Sequence, residues 1–367
     1  MNQGLLPPGK ISADIFDRII FRSLGAHSPN TVVAPRHGVD VGIIRLDSRT
    51  VMAVTTDPVF IVPDYGWDRA AWFAVHILAS DAATSGLRPA YITIDLNLPR
   101  SIADEDLATL WLAIHRACED LEIAVVAGHT GRYDGCAYPM VGGATVIAMG
   151  DSDRWVTPTM ARVGDAVILT KGAAIEATGL FAATFPDRLA RRYGIDRARE
   201  AEGMFYQMSV VRDAQTAVSV GVRDEGVTSM HDATECGVWG GLAEVAQASG
   251  VGLRINRDAI LVPESVRLVC EEFAIDPYSS ISEGSLILTV RPAKADAVLA
   301  ALRGATIPCE IIGEVVPAER GLRYEVGGRE FPLTHPRIDP FWTAFGRAAE
   351  EAAHWLPDGD SNLEPIG

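Results

Sequence analysis

Short apolar runs rich in Val, Ile and Ala alternate with segments of helical periodicity over most of the chain, and this alternation restricts it to a mixed α/β architecture. The runs Gly42 to Leu46 and Thr50 to Thr55 read as strands joined by Asp47-Ser48-Arg49 in a hairpin, the second leading straight into Asp57-Pro58. Helices are expected over Trp67 to Ser85, closed by Gly86, and over Ala103 to Leu121. Strands are expected at Ala90 to Leu96, Ile123 to Ala127 and Met140 to Met149. A short amphipathic helix over Ser12 to Leu24, with Ile15, Ile19 and Ile20 at helical spacing, is expected to cap this half.

The pattern relaxes over residues 151 to 164 into polar, Pro-containing sequence and restarts with a strand at Asp165 to Thr170, which places a domain boundary there. Helices follow near Ile175 to Phe185, Arg197 to Gln207, Ser209 to Val220, Gly240 to Ala248 and Pro263 to Phe273. Strands follow near Leu253 to Ile255, Ser285 to Val290 and Cys309 to Val315. A length of 367 residues suits two domains, residues 1–155 and 160–335, with a helical tail and a disordered end over 336–367. No internal repeat recurs, which excludes solenoids and propellers.

Acidic side chains outnumber basic ones 48 to 32, and a net charge of −16 makes nucleic acid and anionic membranes poor partners. The longest apolar stretches, such as Val141 to Met149, are too short to cross a bilayer. Cys118, Cys136, Cys236, Cys270 and Cys309 are scattered without a CxxC pair, and the opening MNQGLLPPGK lacks the apolar core of a secretion signal. Reduced thiols and a cytoplasmic setting are therefore expected.

Several acids stand beside apolar runs or glycines, where an open α/β architecture faces ligands. Asp40 lies in Pro-Arg-His-Gly-Val-Asp-Val-Gly, Asp57 follows Val-Met-Ala-Val-Thr-Thr, and Asp81 interrupts an otherwise apolar helix. A carboxylate among apolar neighbours needs a cation or good hydrogen bonds, and Mg²⁺ takes dispersed carboxylates together with nucleotide phosphates. Singly, each acid reads more readily as an N-cap, a turn or a surface acid, and the case rests on the set. Gly128-His129-Thr130-Gly131 reads as a strand-to-loop junction that turns N–H groups toward a phosphate, with His129 either a functional or a structural histidine. Thr170-Lys171-Gly172 is a second candidate phosphate loop without P-loop spacing, Lys171 being otherwise a surface lysine; Glu176 stands in the first turn of the helix that follows. Met230 to Gly241, with His231, Asp232, Glu235 and Cys236, is the densest constellation, and Glu283 adds an acid at a strand mouth. No GxSxG elbow is present, and Cys236 reads as a small buried hydrophobe.

In order along residues 30 to 316, these motifs resemble the HypE/PurM (AIR synthase-related) superfamily, which holds the hydrogenase maturation factor HypE, aminoimidazole ribonucleotide synthetase, thiamine-monophosphate kinase and selenophosphate synthetase. Thr55-Thr56-Asp57 resembles the family's TTD strand end, Ser80-Asp81-Ala82-Ala83-Thr84-Ser85-Gly86-Leu87-Arg88-Pro89 its NDLAMSGARP helix, Asp232 to Gly237 its DPTRGG turn, and Gly313-Glu314-Val315 its closing strand. The resemblance implies a PurM-like protomer of two α/β domains, with N-terminal mixed sheets of two protomers joined as a dimeric barrel, hence a homodimer with ATP near the interface. By the same resemblance Asp40, Asp57, Asp81 and Asp232 would hold Mg²⁺ and phosphates, and Gly128, His129 and Thr130 would touch the nucleotide. It also implies ATP-driven phosphorylation or dehydration of an amide- or carboxylate-type oxygen, in which positioning and charge neutralisation supply most of the catalysis. Asp57, Asp81, His129 and Asp232 are then the catalytic candidates, with Lys171 and Glu283 beside the nucleotide.

The pattern departs from its relatives at definite places. The chain ends Ser-Asn-Leu-Glu-Pro-Ile-Gly rather than on the cysteine that HypE modifies, His129 replaces the acid of the GDT motif, and Glu235-Cys236 replace Arg-Gly of DPTRGG. These departures are expected of a subgroup with its own acceptor, the alternative being a non-catalytic nucleotide-binding scaffold or maturation partner.

Overall fold

The computed structural model describes residues 11, 13–138 and 140–354. It opens with a helical turn, α1 (Ala13–Ile15), continued as a wider π turn over Phe16–Ile20. The expected helix to Leu24 is thus shortened, and Ile19, 57% exposed, does not pack as a cap.

The first half holds β1 (Thr31–Val33), β2 (Gly42–Arg45), β3 (Thr50–Ile61), α2 (Trp67–Ala83), β4 (Arg88–Pro99), α3 (Asp104–Asp120), β5 (Ala124–Tyr133) and β6 (Met140–Asp151). Its strands pair in the order β1-β2-β3-β6-β4-β5. The β2–β3 turn is fixed by Asp47, whose carboxylate accepts from the amides of Arg49 and Thr50. β3 runs past the expected end at Thr55 because every residue to Ile61 keeps a partner on β6. Pro58 is tolerated there because β2 pairs only as far as Val54, so nothing needs its missing N–H. Val51, Ala53, Val59, Ile92, Ile94, Leu96, Val146 and Ala148 bury one face beneath α2 and α3. The opposite face carries Thr56, Phe60, Tyr91, Thr93 and Thr145 and stands open, Phe60 being 43% exposed.

The second half adds β7 (Ala166–Thr170), α4 (Ile175–Thr184), α5 (Pro186–Tyr193), α6 (Ile195–Gly203), α7 (Val211–Val220), β8 (Val227–Asp232), α8 (Gly237–Ser249), β9 (Gly252–Asn256), α9 (Glu264–Phe273), β10 (Leu286–Val290), α10 (Pro292–Gly304), β11 (Cys309–Val316), β12 (Leu322–Val326), β13 (Arg329–Pro332) and α11 (Pro340–His354). The strand order is β13-β12-β9-β11-β7-β10-β8. Strand β8, Val-Thr-Ser-Met-His-Asp, has neither an apolar run nor an alternation to announce it, yet every residue is buried against β10 and its surroundings. Helices α5 and α10 and the pair β12–β13 also lie outside the expected elements, and the helix expected to reach Gln207 breaks into a 3₁₀ turn at Met204. The expected disordered end, from residue 355 on, lies outside the described residues.

Helix α2 joins the halves. It is apolar nearly all round, as a helix with neighbours on every side must be. Its Phe73 belongs to the core of α4, α6 and α9, its Ala83 to that of α7 and β10, and its other buried residues to the first sheet. His76 Nδ1 meets Ser209 Oγ at 2.9 Å, and Ser80 Oγ accepts from the amide of Val210 at 2.9 Å. Among the described residues no helix is long and apolar enough to cross a membrane.

The tail helix α11 is held by aromatic packing. Phe181 stacks on Phe273 with centroids 3.9 Å apart and meets Phe341 edge-on at 5.0 Å. Truncation of this fully buried ring by Phe181→Ala is expected to cost about 3–5 kcal/mol, read as a lowered midpoint of denaturant unfolding.

Candidate active site

Strand β8 ends on His231 and Asp232, and the turn that follows passes through Cys236 in the left-handed region (φ 62°) into α8. His231 is 1% exposed. Its Nε2 lies 2.8 Å from Glu244 Oε2 on α8, and its Nδ1 lies 3.2 Å from Asp40 Oδ2 and 3.8 Å from Asp232 Oδ1. Asp40 arrives from the other half of the chain, immediately after the Arg36–Val39 turn, whose Gly38 packs against the Glu244 side chain. Burial alone would lower the imidazole pKa, but the close carboxylates of Asp40 and Glu244, the latter in hydrogen-bond contact with Nε2, outweigh it and push it up to about 10. One donor atom each from Asp40, His231 and Asp232 falls within 4.8 Å of the others.

Beyond Asp232 lies a second layer of acids. Glu283 is held at the mouth of β10 by Gly284, whose φ of +98° and 2.2 Å approach of a notional Cβ to Gln207 O admit no side chain. Burial, then the charges of Asp232 and Glu176, hold the Glu283 carboxyl well above the usual carboxylate range. Ser80 of α2 stands beside it. Glu176 Oε2 accepts from the Glu283 amide at 3.0 Å, and burial pushes Glu176 up to about 8. Asp339, buried and raised to about 6, accepts from the amides of Cys236 at 2.6 Å and Phe341 at 2.9 Å. Asp81, on the buried end of α2, accepts from Thr55 Oγ1 at 3.2 Å, and Asp57 follows Thr55 on the same face of β3.

Asp40 and Asp232 thus meet at His231, Glu283 adjoins Asp232 and α2, and Asp81 contacts Thr55, with Asp57 two residues further along the same face of β3. This donor set fits a divalent cation: carboxylate oxygens from both halves, and an imidazole Nδ1 that is buried and makes no hydrogen bond among the described residues.

Other expected site residues are placed differently. Gly128, His129 and Thr130 are not a loop but lie within β5, paired in parallel with Ile94, Asp95 and Leu96 of β4. His129 is exposed on the open face, its Nε2 2.5 Å from Tyr133 Oη, and lines a 400 Å³ depression with Thr56, Thr93, Asp95 and Thr145. It is on the opposite side of the sheet from Thr55 and Asp81. Lys171 is neither a surface lysine nor free to meet a phosphate: only 7% exposed, it pairs with Asp213 at 3.0 Å and donates to Ser209 O at 2.6 Å. Cys236 is buried, and burial, reinforced by Asp339, Glu235 and Glu244, pushes its thiol up to about 12, which favours the protonated form. Glu244 and Asp339 were not singled out from the sequence. Each follows ordinary-looking sequence, and only the tertiary contact gives it a role.

The Lys171 pair is fully buried, so Lys171→Met strands Asp213 and is expected to cost about 3–5 kcal/mol, largely restored by a second change, Asp213→Leu. A phosphate-binding role would instead lower nucleotide affinity at unchanged stability, and thermal unfolding beside nucleotide titration separates the two. Because the Glu176 pKa rises on folding, its contribution to stability is fully present below its unfolded value near 4.5 and is lost as pH rises through about 8. Glu176→Gln is expected to flatten the fall in stability between pH 5 and 8, measured by urea unfolding at stepped pH.

The model of the AIR synthase related protein N-terminal domain matches residues 38–162, and that of the AIR synthase related protein C-terminal domain matches residues 162–324. The chain is 26% identical over 278 residues to carbamoyl dehydratase HypE of Rhizobium leguminosarum bv. viciae, covering 72% of this chain and 73% of that one. Among solved structures it is similar to the E. coli hydrogenase maturation protein HypE (TM-score 0.64, 25% identity, 79% of this chain and 87% of that one). It shares its fold with hydrogenase maturation protein HypE in complex with ATP (TM-score 0.64, 24% identity, 90% of this chain and 97% of that one). The two family models together span residues 38–324 of the 367, and the protein belongs to the AIR synthase related family, with its PurM-like two-domain fold.

Proposed function

We propose that this chain is an ATP- and Mg²⁺-dependent enzyme that activates an amide- or carboxylate-type oxygen of a small substrate, with dehydration of a carboxamide the best-supported reaction. The observation that carries this reading is the meeting of Asp40 from the first half and Asp232 from the second at one buried cluster, with the raised Glu283 carboxyl against Asp232. The carbamoyl dehydratase relatives and the ATP-complexed HypE fold favour the same chemistry.

In this reading Asp40, Asp57, Asp81 and Asp232 would hold the cation, which would supply charge neutralisation to a bound triphosphate. The amide oxygen attacks the γ-phosphorus, the bond to the β-phosphate oxygen breaks, and ADP leaves. Loss of phosphate from the activated carbon together with the N–H protons yields a carbon–nitrogen triple bond. Each N–H proton needs an acceptor, and Glu283 and Glu176, buried beside Asp232 with their proton affinity raised above that of an ordinary carboxylate, are the groups placed to take it. Residues 1–155 supply ATP binding and dimerisation, and residues 160–335 the opposing wall. A homodimer is supported by the open, partly apolar sheet face with Phe60 and Tyr91, and would bring a partner's surface to His129. The five free thiols suit a cytoplasmic setting.

With Mg-ATP and a carbamoyl or carboxamide acceptor, the purified protein is expected to release ADP and phosphate. Asp57→Asn and Asp81→Asn are each expected to abolish release while leaving the circular dichroism spectrum unchanged. Nucleotide binding without any ADP across a panel of such acceptors would establish a scaffold instead.

A further inference from the structure

We propose that Asp40, His231 and Asp232 form a site for a first-row transition ion of the Mn²⁺ class, ligated through the Nδ1 of His231, with Glu244 as the carboxylate that orients the ring. This deepens the cation-binding role given above to Asp40 and Asp232, and rests on it.

The geometry is that of a carboxylate–histidine–metal relay. Metal-bound imidazoles give their second ring N–H to a carboxylate or carbonyl, which fixes the tautomer and aims the other nitrogen at the ion. Glu244 stands 2.8 Å from Nε2, so in the metal-bound form the proton resides there and the Nδ1 lone pair faces Asp40 and Asp232. Nδ1 is buried and makes no hydrogen bond among the described residues, although two carboxylate oxygens lie 3.2 and 3.8 Å away. Donors bound at roughly 2.1 Å to one ion are separated by about 3 Å at right angles and about 4.2 Å across it. Both separations fall in that range, and all three donors fall within 4.8 Å of one another.

Donor chemistry then sets the ion. Mg²⁺ prefers oxygen ligands and retains its waters, whereas a mixed imidazole and carboxylate set favours the transition series. His231 is the residue immediately before Asp232 on β8. Alternate strand residues point to opposite faces, yet at the end of β8 both side chains bring a donor atom within 4.8 Å of one on Asp40.

The test uses Mn²⁺ alone, added to the full-length protein without nucleotide, and pulsed electron paramagnetic resonance of the bound ion. Modulation from one directly bound ¹⁴N is expected, converting to ¹⁵N in protein labelled at histidine and disappearing in His231→Asn. Labelling needs no variant, so misfolding of His231→Asn does not decide the matter. Glu244→Gln is expected to lower Mn²⁺ affinity about tenfold or more while keeping the nitrogen signal, and a large excess of Mg²⁺ is expected to leave the wild-type signal in place. Mn²⁺ bound through oxygen only overturns the proposal and leaves the carboxylate site intact. No Mn²⁺ retained overturns it as well, and ATP titration by calorimetry in Mg²⁺ then decides whether the nucleotide reading falls with it.

Discussion

Like charges gathered in a low-dielectric seam are the condition that the rest of this molecule accommodates. Two carboxylates a few ångströms apart repel strongly once water is excluded, and a fold that buries them needs compensating protons or cations. Here both devices operate. Glu283, Glu176 and Asp339 have their proton affinity raised, while His231 is wedged between Asp40 and Glu244 and gains proton affinity from both. The seam is therefore held ready for positive charge, and the elements that form it, β8, the α8 turn and the loop before β2, come from both halves of the chain.

The position of α2 explains how this is achieved without loosening the interface. A helix with core contacts on several sides fixes Ser80 against Glu283 and Asp81 beneath Thr55, so the polar groups of the seam are carried by a rigid element and not by a flexible loop. The buried Lys171–Asp213 pair works in the same direction, tying the end of β7 to α7 close to where α2 crosses.

Much of the fold could be read in the sequence because its signals are local. Hydrophobic periodicity located α2, α3 and most strands to within a few residues, and the order of acid-containing motifs identified the family. Where the reading failed, a tertiary contact had overridden local chemistry. Strand β8 was not among the expected strands because it buries polar side chains, and its Thr228 and Ser229 hydroxyls are satisfied by Thr289, a neighbour distant in sequence. Gly128 to Thr130 looked like a loop because glycines usually break strands, but here a Cβ at Gly128 would lie 2.4 Å from Ile94 O. Lys171 looked like a surface residue because nothing near it in sequence foretells Asp213. The acids Asp40, Asp57, Asp81 and Asp232 were visible as exceptions among apolar neighbours, whereas Glu244 and Asp339 sit in sequence that offers no such contrast.

The ten residues of β5 close one edge of the first sheet, and Arg132 is the single charged side chain along them. Natural sheets usually blunt such an edge with charge, proline or brevity, and the opposite edge, β1, is blunted by its three-residue length. A newly made chain therefore displays an adhesive row of amides and carbonyls from the moment its first half folds. An edge of this length is a template for pairing with another strand, so an uncovered first sheet is prone to adhesion.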